Sequence, residues 1–330
     1  MPLIDQHGRI VNYVRLAVTD RCNLRCQYCM PAEGIDYVDR KELLTYEEME
    51  RLVQLLAKEG VNKVRITGGE PFLRKGMLGF MERLSNIEGI SKLHITTNGT
   101  LTRGIIPDLQ KMGVAGVNVS LDTLDRAKFF EITRRDNFEE VLDTLYQLVD
   151  HGINTKINMV VMKDHNLEDI HRMVELTQIL PIAVRFIEEM PFNGTGEGYS
   201  GLEWNHKRIL NHIMSAFPDV EKLQDGPYST SSNFKVNGFQ GSFGIIAAYS
   251  RTFCGTCNRI RITPTGILKT CLYDQGVFSI RDVMRNGAND QQVIEAVNEA
   301  LSHKAVDGKT AERQRHNLRP VQESMATIGG

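Results

Sequence analysis

Along its first two-thirds the chain alternates short branched-apolar runs with longer helical patterns. Candidate strands fall at 12–19 (NYVRLAVT), 61–67 (VNKVRIT), 92–97 (KLHITT), 114–120 (VAGVNVS), 154–161 (NTKINMVV) and 182–188 (IAVRFIE). The clearest helix spans about 44 to 59: Thr45 followed by Glu48 fits a capping box, Leu52, Leu55 and Leu56 form one stripe, and Gly60 can stop it. Asn137 with Glu140 predicts a second helix ending near Gly152. Strands that each need a helical return imply a parallel sheet. The periodicity leaves an open doubly wound sheet and a curved partial barrel as equal alternatives.

The pattern changes near residue 190. MPFNGTGEGYSG reads as a Gly-rich connection, a helical stretch follows around Trp204 to Phe217, residues 229–273 read as short strands and turns, and two further helical segments lead to MATIGG. The expected organisation is a core at 1–190, a connection at 191–228 and a C-terminal region at 229–330.

Hydrophobic residues at 41% and charged residues at 24% exclude disordered and collagen-like chains. A net charge of -2 gives no global attraction for nucleic acid. MPLIDQHGRI lacks a signal-like apolar run, and no later stretch approaches the roughly 18 apolar residues of a membrane span, so a cytoplasmic protein without membrane or nucleic-acid partners is expected.

All six cysteines fall into two triplets, Cys22, Cys26, Cys29 and Cys254, Cys257, Cys271, spaced C-x3-C-x2-C and C-x2-C-x13-C. Odd-numbered sets with short spacings make a poor disulfide framework and a good soft-metal inventory. Three thiolates can hold three irons of a cubane and leave the fourth open to an external ligand. Zinc completed by a distant histidine and buried free cysteines are the competing readings.

C-x3-C-x2-C after a first strand resembles the cluster loop of the radical S-adenosylmethionine superfamily, which implies a full or partial (β/α) barrel. TGGEP (Thr67 to Pro71) resembles the segment that contacts the methionine amino group, and NVSLD (Asn118 to Asp122) the one that helps hold ribose and carboxylate. The resemblance assigns S-adenosylmethionine to Tyr28, Gly68, Gly69, Glu70, Thr96, Asn98, Ser120 and Met190, with Tyr28 beside adenine and Thr97 at the same strand end.

With the second triplet and the terminal MATIGG, the chain resembles over nearly its whole length the GTP 3',8-cyclase family of molybdenum cofactor biosynthesis. The fold implied is α/β, a partial (β/α)6 TIM-like barrel with a C-terminal extension carrying a second iron-sulfur cluster. Cofactors implied are two [4Fe-4S] clusters and S-adenosylmethionine. Basic residues matching the family's phosphate contacts are Arg15, Lys63, Arg65, Lys156, Arg185, Arg259 and Arg261; Arg65 has a structural salt bridge as its alternative.

The resemblance gives Gly329 and Gly330, with Met325 and Ile328, a catalytic place in the active site. It implies a 5'-deoxyadenosyl radical taking hydrogen from C3' of GTP, attack on guanine C8, and a cyclised dihydro-GTP product. Expected partners are GTP, an external one-electron donor, a second copy of the chain, and cyclic pyranopterin monophosphate synthase. A peptide-maturing radical enzyme, a passive electron carrier and a zinc-stabilised nucleic-acid module are the other classes. NGTGEGYSG and RPVQESMATIGG depart from the family's usual pattern.

Overall fold

The computed structural model describes residues 2–195, 201–316 and 319–329. Its strands are β1 (Tyr13–Ala17), β2 (Lys63–Thr67), β3 (Lys92–Thr97), β4 (Gly116–Ser120), β5 (Thr155–Val161), β6 (Ala183–Glu188), β7 (Val220–Lys222), β8 (Ser232–Val236), β9 (Ser242–Ile246), β10 (Arg259–Ile262), β11 (Ile267–Lys269) and β12 (Phe278–Ser279). They form one sheet in the order β12-β11-β10-β1-β2-β3-β4-β5-β6-β9-β8-β7. From β10 through β9 every pairing is parallel, and the outer strands on both sides are antiparallel.

The six expected strands lie where the apolar runs place them, each trimmed by no more than a few residues. What the patterns did not predict is the destination of the later chain. Residues beyond 191 extend the same sheet at both sides, β9 beside β6 and β10 beside β1. The second cysteine triplet thereby arrives next to the first strand.

Alternate strand residues face opposite ways. Val14, Leu16, Val64, Ile66, Ile95, Val117 and Val119 are fully buried in the main core with Leu52, Phe80, Leu109, Val141 and Leu145 from the helices. The other face carries Tyr13, Arg15, Lys63, Arg65, Asn118 and Lys156, which line a cavity. Strands buried on both sides usually read as continuous apolar runs; the alternation here leaves the inner face of the sheet polar and charged.

The helix Tyr46–Lys58 has the expected capping box: Thr45 Oγ1 accepts from Glu48 N at 3.2 Å and Glu48 accepts from Thr45 N at 2.7 Å. Asn137 precedes the helix Phe138–Asp150 but makes no side-chain cap. Asn205 caps His206–Ala216, donors coming from Lys207 N and Arg208 N. Among the described residues four α-helices follow β12 where two helical segments were expected before the tail: Ile280–Arg285, Asp290–Ser302, Gly308–Arg313 and Met325–Ile328. No described helix is long and apolar enough to cross a membrane.

Candidate active site

A cavity of ≈ 870 Å³ follows the inner face of the sheet, and all six cysteines contribute to its lining. The volume lies in the range of about 300–1,000 Å³ usual for small-molecule sites. The first triplet follows the C-terminal end of β1, while Cys254 and Cys257 precede the N-terminal end of β10, its parallel neighbour. The two sets therefore enter the cavity from opposite ends of adjacent strands.

The first loop turns at Cys26, whose carbonyl accepts from Cys29 N at 2.9 Å and Met30 N at 3.0 Å. On one side it is pinned to the end of the helix Arg126–Thr133 through Arg25 N to Thr133 O and Gln27 N to Ile132 O. On the other, Gly69 N donates to Thr19 O and Glu70 N to Arg21 O, both at 2.8 Å. A Cβ on Gly68 or Gly69 would collide with the Thr19 or Arg21 backbone, so these glycines are required by the loop's own approach.

Glu70 is wholly buried and is not in the cavity wall. Its carboxylate accepts from Thr97 Oγ1 at 2.9 Å, Asn98 N at 2.7 Å and Phe72 N at 3.2 Å. Burial raises its pKa to about 7 against these donors. The structure thus puts Glu70 behind the wall, fixing the β3 terminus, where the sequence had suggested a direct contact with an ammonium group. Asn98 projects forward, its Nδ2 2.8 Å from Asn23 Oδ1 and 3.7 Å from Cys22 Sγ. Tyr28 donates to Asp122 Oδ2 at 2.9 Å, and Asp122 is held by Val160 N at 2.8 Å. Gly68, Gly69, Tyr28, Thr96, Thr97, Asn98, Ser120 and Met190 all line the cavity.

The β10–β11 hairpin pairs Arg261 with Lys269 and so folds the long gap of the second triplet back on itself, bringing Cys271 toward Cys257. Gly308 N donates to Cys254 Sγ at 3.4 Å, Lys304 Nζ to Cys257 Sγ at 3.7 Å and Tyr273 N to Cys271 Sγ at 3.5 Å.

Burial drives the first-triplet thiols upward, aided by neighbouring thiols, by Glu70 at Cys22 and by Asp122 at Cys26. Burial likewise pushes Cys29 up to about 11 and Cys271 to about 11, with Asp274 adding to the latter. Cys257 departs from the rest: burial opposes, but Lys304 and Arg259 bring it down to about 6. Metal ligation removes the proton that burial otherwise retains. The donor chemistry, three thiols per set converging on one cavity with N–H groups aimed at sulfur, fits iron-sulfur ligation. Among the described residues no three His, Cys, Asp or Glu side chains close around a single metal ion.

Between the triplets the register builds two rows across three strands. Tyr13 pairs with Lys63 and Arg259, and Arg15 with Arg65 and Arg261. Lys156 and Arg185 face the same space from β5 and β6. Burial first and neighbouring cations second lower Arg15 to about 9 (Arg261 beside it), Arg261 to about 10 (Arg259 beside it) and Lys156 to about 8 (Arg185 beside it). Arg185 falls to about 10, again from burial and then Arg65. Arg65 is bound in place: Nε donates to Tyr13 OH at 2.8 Å and Nη1 to Ile95 O at 3.1 Å and Thr96 Oγ1 at 3.2 Å. That network takes the place of the structural salt bridge, Arg65's alternative role.

Sequence reasoning missed Tyr13, whose phenol burial would raise but which Arg65, Arg15, Lys63 and Arg259 pull down to about 7. Its position two residues before Arg15, on the same strand face, was the available signal. It also missed Asp122 as the partner of Tyr28, the lining segment from Gly226 to Ser231, and Lys304.

The tail reaches this site. Arg261 Nη1 donates to Gly329 O at 2.6 Å, and Ser324 Oγ to Cys29 O at 2.7 Å. Gly329 has φ 77°, and a Cβ there would stand 2.8 Å from Thr67 Oγ1 and 2.9 Å from Ala17 Cβ. Ile328 packs with Phe192, Tyr273 and Ala311; burying such a side chain contributes roughly 1.5–3 kcal/mol. Gly330 lies outside the described residues, as does part of the NGTGEGYSG connection.

Residues 16–177 match the family model of the Radical SAM superfamily, and 182–310 match Molybdenum Cofactor Synthesis C. The chain is 41% identical over 303 residues to Molybdenum cofactor biosynthesis protein 1 of Bos taurus, 92% of this chain and 48% of that protein. It thus spans about half the length of the first curated relatives it matches. It is 39% identical to GTP 3',8-cyclase of Geobacter sulfurreducens over the full length of both. Among solved structures, Streptococcus suis SuiB superposes with a TM-score of 0.65 at 14% identity, covering 94% of this chain and 70% of that one, a likeness of fold alone.

Proposed function

From the premise that this chain belongs to the GTP 3',8-cyclase family of the Radical SAM superfamily, we propose that it converts GTP to 3',8-cyclo-7,8-dihydro-GTP, a step of molybdenum cofactor biosynthesis. The observation that carries the reading is the cationic row Arg65, Arg15 and Arg261 between two thiol triplets, with Lys63 and Arg259 flanking Tyr13 in the row beside it. Like charges directly opposite each other across a sheet destabilise it. Such an array is sustained by a polyanion, and a nucleoside triphosphate supplies both the charge and a base.

The first triplet is the S-adenosylmethionine and [4Fe-4S] site of the superfamily; the second cluster, at Cys254, Cys257 and Cys271, is part of this proposal. When bound, the clusters and S-adenosylmethionine supply the reducing electron, the radical that takes hydrogen from C3' of GTP, and an open iron for the base. The chain's own residues do the positioning. Asp122 orients Tyr28 toward the cofactor, and Glu70, through Thr97 and Asn98, holds the wall beside Cys22. Arg15, Lys63, Lys156, Arg185, Arg259 and Arg261 clamp the phosphates, which leaves the ribose little freedom.

Arg261 also holds Gly329, so phosphate binding and tail placement share one guanidinium. The described tail closes the cavity with Met325 and Ala326 and helps exclude water from radical intermediates. The reading places the enzyme in the cytoplasm as a homodimer, fed by an external one-electron donor and delivering product to cyclic pyranopterin monophosphate synthase.

The test is anaerobic mass spectrometry after reduction with S-adenosylmethionine and GTP deuterated at C3'. Deuterium in 5'-deoxyadenosine together with a cyclised GTP isomer is the expected result. 5'-Deoxyadenosine without deuterium or cyclised product, in protein holding both clusters, contradicts the GTP assignment.

A further inference from the structure

Two lysines, Lys269 and Lys304, are wholly buried among the described residues. Lys269 is ion-paired with Glu323 at 3.0 Å. Lys304 meets no carboxylate of the described residues; its ammonium donates to Arg259 O at 2.8 Å, Thr270 O at 2.5 Å and Cys257 Sγ at 3.7 Å. A buried ammonium without a counter-charge is expensive, because carbonyl dipoles replace only part of its hydration. Of its three partners, the sulfur alone can carry negative charge.

The backbone around Lys304 is anchored from the N-terminal segment. Gln6 Nε2 donates to Lys304 O at 2.8 Å, and His7 Nε2 lies 3.1 Å from the same oxygen. Arg9 ties Ala305 O, Val306 O and Cys254 O together at 2.8, 2.8 and 3.0 Å. Arg9 is itself paired with Asp5 at 2.6 Å. One clamp therefore fixes both the lysine and the first cysteine of the triplet. Rigid placement of a charge beside a ligand sulfur is how proteins tune a cluster without touching its open position.

We propose that Lys304 is a positioning residue of the second triplet, its ammonium compensating the negative charge of a cluster held by Cys254, Cys257 and Cys271 and raising that cluster's reduction potential. The inference rests on the proposed function's reading that this triplet holds a cluster. It assigns the N-terminal segment a purpose as well: Gln6, His7 and Arg9 keep the charge in place.

The experiment is an EPR-monitored redox titration, with iron analysis, of the reconstituted full chain and of Lys304→Gln and Lys304→Arg. Glutamine keeps a hydrogen-bond donor and removes the charge; arginine keeps the charge. The expected result is a more negative midpoint for the second cluster in Lys304→Gln and a midpoint near wild type in Lys304→Arg. Iron loading that fails in Lys304→Gln and survives in Lys304→Arg supports the charge role equally. Three equal midpoints with both clusters present overturn the inference alone, as does loss of the second cluster in both variants, which would assign Lys304 to packing. A wild-type chain that loads only the first triplet overturns the inference and the second-cluster reading together.

Discussion

The two cysteine triplets share one cavity but differ in electrostatic company, most clearly at Cys26 and Cys257. Cys22 and Cys26 have Glu70 and Asp122 behind them, which reinforce the effect of burial, while at Cys29 Arg25 opposes it. Cys257 has Lys304 and Arg259, which overcome it, although Asp274 and Asp307 temper the effect at Cys271 and Cys254. A negative surrounding makes an added electron costlier and a positive one makes it cheaper. On the proposed function this difference would suit a division of labour, with the more reducing centre at the first triplet and the less reducing one at the second.

Removing one cysteine at a time separates the two triplets by the largest effect. Cys26→Ser is expected to abolish both 5'-deoxyadenosine formation and cyclised product. Cys257→Ser is expected to keep S-adenosylmethionine cleavage and lose the cyclised product; chromatography of both compounds reads the distinction, and equal loss of both in the two variants would erase the division of labour.

Next in size is Arg261→Ala. It loses charge-assisted hydrogen bonds, each worth about 1.5–3 kcal/mol, so KM for GTP should rise roughly 10- to 100-fold in steady-state kinetics. kcat should fall too, because Gly329 O loses its donor. A pure KM effect would show that the tail is placed without it.

Gly329→Ala forces a side chain into left-handed backbone against Thr67 and Ala17. The backbone penalty alone is about 1–2 kcal/mol, so cyclised product per 5'-deoxyadenosine should fall about tenfold while cofactor cleavage continues.

A smaller effect, just above pH 8, is a pH dependence. Lys156 in the folded chain gives up its proton near pH 8, well below the usual lysine value, because burial and Arg185 disfavour the charge. Its ammonium is present below that pH and lost above it, so KM for GTP should rise above pH 8 by up to about tenfold per unit. Between pH 8 and the unfolded lysine value of 10.5 the unfolded chain binds more protons, so this group's contribution to stability rises with pH even as affinity falls. Lys156→Arg should flatten the KM profile.

Much of this molecule was legible in its sequence because local rules and fold agree there. The strand runs, the Thr45 capping box and the cysteine spacings each encode a feature within a few residues. The cation rows were legible as residues; their register was not, since it depends on β10 returning from residue 259 to pair with β1. The hydrogen bonds of Glu70 to Thr97 and Asn98 were not legible, because a carboxylate beside two glycines reads the same whichever way it turns. Lys304 left no local signal, being 47 positions from the sulfur it meets. Tertiary return of the chain, not propensity, places it there.

The most direct test of the account is to count iron and acid-labile sulfide in the anaerobically reconstituted chain and in its Cys22→Ala/Cys26→Ala/Cys29→Ala and Cys254→Ala/Cys257→Ala/Cys271→Ala variants. Two separate sites predict about eight irons in the wild-type chain and about four in each variant, as befits one cubane per triplet. About four irons in the wild type and in the C-terminal variant alike would contradict the account, leaving the second triplet without a cluster.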